Sequence, residues 1–245
     1  KTRKTKCLLR YLMILKEIIN KSYYGVINYV PNMESIHLLE RYINYNLEVL
    51  KEYKGVIIAT NYQDLKLSIK NTELWQKYFP NCIILDLPKN RGHNFGTADL
   101  DNAVFDYCKN NNIEWLCKAS YDVVFNKDVL MSEVEDDKDF YYMNGIGYGG
   151  MKKYNYDLDI IVKEDFYPQT NYYFINTLKV DYLYDEKYLN DTYDFIQNLE
   201  NYNGKVWEYI QGWSCEGFLK DCIFRNNLSK SHLVSTKKYR ILLEL

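Results

Sequence analysis

Asp122 and Glu216 are the carboxylates best placed to do chemistry, because each stands where an apolar segment meets a polar turn. Asp122 follows the run Trp115-Leu116-Cys117-Lys118-Ala119 by way of Ser120-Tyr121. An aspartate just past a buried strand can offer oxygen ligands to Mg²⁺ or Mn²⁺ while the cation grips a diphosphate. The competing reading is a turn-capping aspartate, and Ser120 occupies the place where a second carboxylate would strengthen a metal site. Glu216 comes just after Gly212-Trp213-Ser214, in the first turn of an expected helix. There it can act as a general base on an acceptor hydroxyl, or join Ser214 in stabilising the helix start. His232, one of three histidines, lies in a polar tail segment, where it either folds back to a metal or phosphate or stays exposed.

A second group of candidates surrounds the stretch Lys89-Asn90-Arg91-Gly92-His93-Asn94-Phe95-Gly96. Glycines permit positive φ and close ligand approach, and a helix amino terminus favours anions. The order does not match the dinucleotide fingerprint GxGxxG. Arg91 can pair with phosphate or be an exposed loop charge. Asp99 can accept a hydrogen bond from ribose or base, or simply complement the helix dipole.

The elements that position these residues are legible as alternating apolar runs and helical stripes. Tyr24 to Val30, Gly55 to Thr60, Cys82 to Leu87 and Ile113 to Ala119 are predicted strands. Between them, Ile36, Leu39, Ile43, Leu47 and Leu50 trace one helical stripe, and Leu100, Ala103, Val104, Tyr107 and Cys108 another. The polar segment from Tyr62 to Tyr78 predicts one or two short helices. Right-handed βαβ crossovers make the strands parallel, and ligands of such sheets bind beyond the strands' carboxyl ends. Past Phe125 the alternation loosens. Phe140 to Met151 carries four glycines, Phe166 to Phe174 is a predicted loop entering a strand, and two helices follow, at about Glu186 to Glu200 and from Ser214. The expected division is an amino-terminal helix (residues 1–22), a nucleotide-binding half (23–135) and an acceptor-side catalytic half (136–245).

Composition narrows the function further. The chain has 245 residues, enough for one large domain or two packed lobes. Its 31 basic and 33 acidic side chains leave a net charge of −2, which gives no general attraction for nucleic acid or anionic membrane. The basic start, Lys1 to Lys6, fits a solvated helix end. The apolar run Cys7 to Ile19 is broken by Arg10, Lys16 and Glu17, so no transmembrane segment is expected. Instead Leu8, Tyr11, Leu12, Leu15 and Ile19 give an amphipathic helix. Six cysteines without a CxxC pair suit reduced, buried thiols in a cytoplasmic protein. The 26 tyrosines, like the abundant Asn, Lys and Ile, are explained by AT-rich codons and carry no binding argument.

Taken in order, these pieces resemble the GT-A fold of nucleotide-sugar-dependent glycosyltransferases. The resemblance rests on Tyr24 to Val30 as first strand, Asn90-Arg91-Gly92 with Gly96 before a helix, and Lys118-Ala119-Ser120-Tyr121-Asp122 where such enzymes carry DxD. Gly145 to Gly150 looks like the family's glycine-rich loop, and Glu216 with Phe218, Leu219 and Arg225 is similar to its acidic helix motif. The resemblance implies a central, mostly parallel sheet flanked by helices, with a smaller acceptor-side lobe. It implies a nucleoside pocket lined by Tyr29, Asn61, Asp99 and Lys118, Mn²⁺ or Mg²⁺ held by Asp122 and His232, and Glu216 as base. The reaction implied is sugar transfer from a nucleotide-diphosphate donor, a UDP-sugar first, to a glycan or other hydroxyl acceptor. Two departures stand out: Ser120 replaces the first aspartate of DxD, and Gly217 follows Glu216 where the family often has Asp. A nucleotidyltransferase and a catalytically silent sugar- or nucleotide-binding module remain as alternatives.

Overall fold

The computed structural model describes residues 16–29, 31–61, 64–121, 123–125, 130, 134, 138–144, 168–210, 213–233 and 239–241. Residues 16–21 (α1) are helical and bury Ile18 and Ile19. They lead into β1 (Ser22–Ile27), followed by α2 (Met33–Leu50), β2 (Gly55–Thr60), α3 (Leu65–Tyr78), β3 (Ile83–Asp86), α4 (Gly92–Asn110) and β4 (Trp115–Ser120). The second half supplies β5 (Val123–Phe125), β6 (Phe140–Asn144), β7 (Pro168–Asn176), α5 (Glu186–Gln197), α6 (Cys215–Arg225), β8 (Lys230–His232) and β9 (Tyr239–Ile241).

Strands buried on both faces carry continuous apolar runs, and β1, β2 and β4 do so. They form the middle of a seven-stranded sheet of order β3-β2-β1-β4-β7-β6-β8. Strands β3, β2, β1 and β4 are mutually parallel, β7 runs antiparallel to both β4 and β6, and β8 is again parallel to β6. The sheet is thus mostly parallel, with one reversed strand. Helices α2 and α3 pack on one face, around Tyr42, Trp75 and Val26. Helices α4, α5 and α6 pack on the other, around Phe95, Val104, Leu189 and Leu219. The chain therefore winds one way from β1 to β3 and crosses back to β4, so the switch point lies between β1 and β4.

Side-chain caps explain where the helices start. Asn32 accepts from the Ser35 amide at 2.9 Å to open α2, and Asp64 accepts from Lys66 at 2.8 Å to open α3. That single cap makes the polar Tyr62 to Tyr78 region one helix instead of two. Close packing of α4 on the sheet depends on Gly25. A methyl group there would strike Val104 and come within 2.8 Å of Leu116 Cδ1, both buried side chains. Gly25→Ala should lower stability by about 1–3 kcal/mol, read as a drop in the urea midpoint with unchanged slope.

Several expectations need correction. The first strand spans Ser22–Ile27 instead of Tyr24 to Val30, because it follows the register of its two neighbours, Ser22 against Trp115 and Ile27 against Ala59. The glycine stretch is not a loop throughout: helix α4 begins at Gly92. Pro168 to Tyr173 is the first part of β7, with proline at the strand's first residue, where its missing N–H is tolerated. The tail contributes two strands, β8 and β9, the second pairing antiparallel with β5, Val123 against Ile241. The stripe residues Leu8 to Leu15, the Gly145 to Gly150 loop and the Phe166-Tyr167 pair lie outside the described residues. No described helix is long and apolar enough to cross a membrane.

Candidate active site

The carboxyl ends of β1, β2 and β4 converge on one edge of the sheet, with Ile27 beside Ser120 and beside Ala59. Asn28 and Tyr29 continue from β1 and Asn61 from β2. Asn61 is buried and packs against Gly96 and Asn90, since a methyl group on Gly96 would come within 3.0 Å of Asn61 Nδ2 and 3.2 Å of Asn90 Oδ1. Gly96 thus lets α4 approach the end of β2. Tyr29 is 45% exposed at the rim. Asn28 donates its side-chain amide to Asn71 on α3. Asn61 Oδ1, Asn28 Oδ1, Thr60 Oγ1 and Asn71 Nδ2 are buried polar atoms with no hydrogen-bond partner among the described residues. Such atoms are costly unless something satisfies them. Their clustering at this edge suits a ligand bearing a hydrogen-bonding rim.

The turn from Asn90 to Gly92 has its own local logic. Asn90 Oδ1 accepts from the Gly92 amide at 2.9 Å, and Gly92 has φ of +85°, a left-handed conformation that disfavours a side chain. Arg91 and Asp99, expected to meet phosphate and ribose, meet each other: Arg91 Nε lies 2.8 Å from Asp99 Oδ2 and Nη2 2.5 Å from Oδ1. Asp99 stands two turns into α4, so its partner is this guanidinium instead of the helix start. Arg91 also donates to Asn190 on α5 at 2.9 Å and lies over the rings of Phe95 and Tyr193, at 5.6 and 5.0 Å. The cluster joins α4 to α5 and forms one wall of a cleft of about 970 Å³ that also touches Leu87, Pro88 and Asn90. A bidentate grip on phosphate through Arg91 Nε and Nη2 requires this pair to open.

Lys118 sits inside the structure. Its ammonium is 3.3 Å from Asp101 Oδ1 on α4, with both side chains almost fully buried. It also donates to the main-chain carbonyl of Thr170 on β7. Asp101 Oδ2 accepts from the Tyr184 hydroxyl at 3.0 Å. Burial pushes the Asp101 carboxyl above its ordinary range, Lys118 and Tyr184 pull it back, and the Glu216 charge adds to the rise.

Glu216 occupies the first turn of α6, opened by Ser214, whose hydroxyl accepts from the Gly217 amide at 2.9 Å. One carboxylate oxygen, Oε1, accepts from the Thr170 hydroxyl at 2.9 Å. Burial first, and then the Glu216 and Asp101 charges, push the neighbouring Cys215 thiol well above its ordinary range. The sequence reading missed Asp101 and Tyr184, and took Thr170 only as part of the Pro168 to Tyr173 segment expected to help form the floor between donor and acceptor. The signal for Asp101 was present: it shares a helical stripe with Val104, Phe105 and Cys108, all buried, and a carboxylate on such a stripe needs a partner.

Asp122 and the His232 side chain lie outside the described residues. The backbone nevertheless limits how His232 can serve. Through the register Lys118–Tyr173–Tyr142–His232 it stands three strands from β4, roughly 14 Å at ordinary strand spacing. The tail returns to the flank of Asp122 through Tyr239–Ile241 in β9, not at β8. Among the described residues no cluster of three or more His, Cys, Asp or Glu side chains is arranged for a metal ion.

The winding of this sheet about β1 and its helices on both faces define a Rossmann-like α/β fold. No family model matches the chain. No curated protein matches it either. Among solved structures, it is similar to residues 1–349 of TarS from S. aureus at 15% identity and a TM-score of 0.44, covering 89% of this chain and 59% of that one. The chain thus spans about three-fifths of that structure's length. It is similar to a nucleoside-diphosphate-sugar pyrophosphorylase from Vibrio cholerae RC9 at 10% identity and a TM-score of 0.43, over 90% of this chain and 95% of that one. A mycobacterial protein is similar at 9% identity and a TM-score of 0.49, over 89% and 67%.

Proposed function

We propose that the protein is a glycosyltransferase that moves a sugar from a nucleotide-diphosphate donor, a UDP-sugar first, to a hydroxyl of a glycan or other acceptor. The observation that carries this reading is the placement of Glu216. It stands at a helix start beside β7, held by Thr170, on the same face of the sheet as Asn61 and Gly96. In this reading the base of the nucleotide meets the amide-rich edge at Tyr29, Asn61 and Asn90, where the buried Asn61 Oδ1 is suited to a nucleobase rim. Glu216 takes the proton of the attacking hydroxyl, which approaches the anomeric carbon from the side opposite the diphosphate and inverts its configuration.

A divalent cation, Mn²⁺ or Mg²⁺, would supply charge neutralisation of the leaving diphosphate. Asp122 is the residue that would hold it, with diphosphate and water oxygens completing the shell. His232 on β8 is the second protein ligand that the resemblance implies, and it would have to reach the cation across β7 and β6.

Calorimetric titration with UDP, GDP and CMP, each with and without Mn²⁺, tests the reading. We expect one nucleotide to bind with a Kd in about the micromolar range, metal-dependently, and Asp122→Ala to abolish that dependence. Tight binding without any turnover of the matching nucleotide-sugar would favour the silent binding module. Release of pyrophosphate from a nucleoside triphosphate and a sugar phosphate would favour the nucleotidyltransferase.

A further inference from the structure

We propose that the buried Asp101–Lys118 pair is a positioning device for Glu216, acting through the main chain and hydroxyl of Thr170. The inference deepens the reading of Glu216 as base and rests on it. Three observations carry it. Lys118 lies in an otherwise apolar central strand, yet its ammonium is enclosed by Asp101 on α4 and the Thr170 carbonyl on β7. The same Thr170 turns its hydroxyl to Glu216 Oε1 at 2.9 Å. Asp101 is itself anchored by Tyr184 at 3.0 Å, so the chain of contacts begins on a residue fixed in the core.

An ion pair this buried is an expensive way to fill space, because apolar side chains of similar volume do so without desolvating two charges. Its geometry gives it a different use. Thr170 is the third residue of β7, close to the strand's free end and beyond the last pair with β4, Ala119 against Tyr172. A cation on its carbonyl fixes the height of that end and therefore the direction of the hydroxyl. Asp101 on α4 and Cys215 on α6 itself lie close enough to Glu216 to feel its charge. Lys118 sits beside Asp101 and 6.0 Å from the Tyr173 ring centroid. Thr170 leaves the second oxygen, Oε2, without a described hydrogen bond, and a general base needs such an oxygen for its substrate.

The test combines geometry with kinetics. The double variant Lys118→Met/Asp101→Leu removes both charges together, which spares the fold an unpaired ion. In its crystal structure Glu216 should leave Thr170 Oγ1. Turnover of UDP-glucose or GDP-mannose, whichever nucleotide binds, should lose about 100-fold in kcat, with donor KM within about threefold. Should the double variant not fold, Thr170→Val, at a partly buried position, should lose about tenfold in kcat and Thr170→Ser should restore it. A double variant that keeps the Thr170–Glu216 contact, or a Thr170→Val that keeps kcat while Glu216→Gln abolishes it, overturns the positioning role and leaves the base intact. Full turnover in Glu216→Gln overturns the base itself, and with it the kinetic part of this inference; the crystal contact then decides the geometric part alone.

Discussion

Lys118→Met, made alone, should cost the protein about 3–5 kcal/mol, more than any other single surface or core polar change discussed above. The ammonium and the Asp101 carboxylate are 2% and 0% exposed, so removing one leaves the other buried and uncompensated. Urea unfolding followed by circular dichroism gives the number, and the double variant with Asp101→Leu should recover most of it. The loss should also depend on pH. A carboxyl whose folded-state pKa is raised, as that of Asp101 is by burial, contributes full stability below its unfolded value near 4. Stability then falls as pH climbs toward the folded value. Without Lys118 to hold that value down, the fall should extend to higher pH than in the wild type. A single variant that loses less than about 1 kcal/mol at neutral pH would show that water reaches the pair.

The second large effect concerns activity. Glu216→Gln keeps the shape of the side chain and its contact with the Thr170 hydroxyl, because the amide oxygen still accepts. It removes the capacity to take a proton. If Glu216 is the base, kcat should fall by about 10²–10⁴-fold with nucleotide affinity unchanged. Stopped assays of nucleotide release, beside calorimetry on the same protein, separate the two quantities. A parallel fall in nucleotide affinity would instead place Glu216 in donor binding.

Much of this architecture was visible in the chain itself, for a physical reason. Strands covered on both faces need unbroken apolar runs, and helices lying on them need one-sided stripes, so β2 and the last two helices were found nearly to their ends. What escaped was set by contacts distant in sequence. The true start of α4 depends on the Asn90 side chain and on the left-handed Gly92, neither of which interrupts a hydrophobic pattern. β8 and β9 are only three residues long, too short for a pattern to show, and their existence follows from partners roughly 90–120 residues earlier. Within the site, Glu216 was recognisable by its place after Ser214. Lys118, by contrast, was expected to face a nucleoside, and the structure commits it to Asp101 and Thr170. The pairing required both partners to be noticed as charges inside apolar patterns, and only one of them was.

The β5–β9 pairing also bears on the order in which the molecule can be made. Residues 123–125 bond to Asn46 on α2 early in synthesis, through the Val123 carbonyl and the Phe125 amide. Their strand partner, residues 239–241, is translated more than a hundred residues later. At ordinary ribosomal speeds the stretch after Ser120 waits several seconds to about 20 s for its clasp. A nascent chain paused before residue 239 would therefore hold a nearly finished sheet with the Val123–Phe125 strand still lacking its partner.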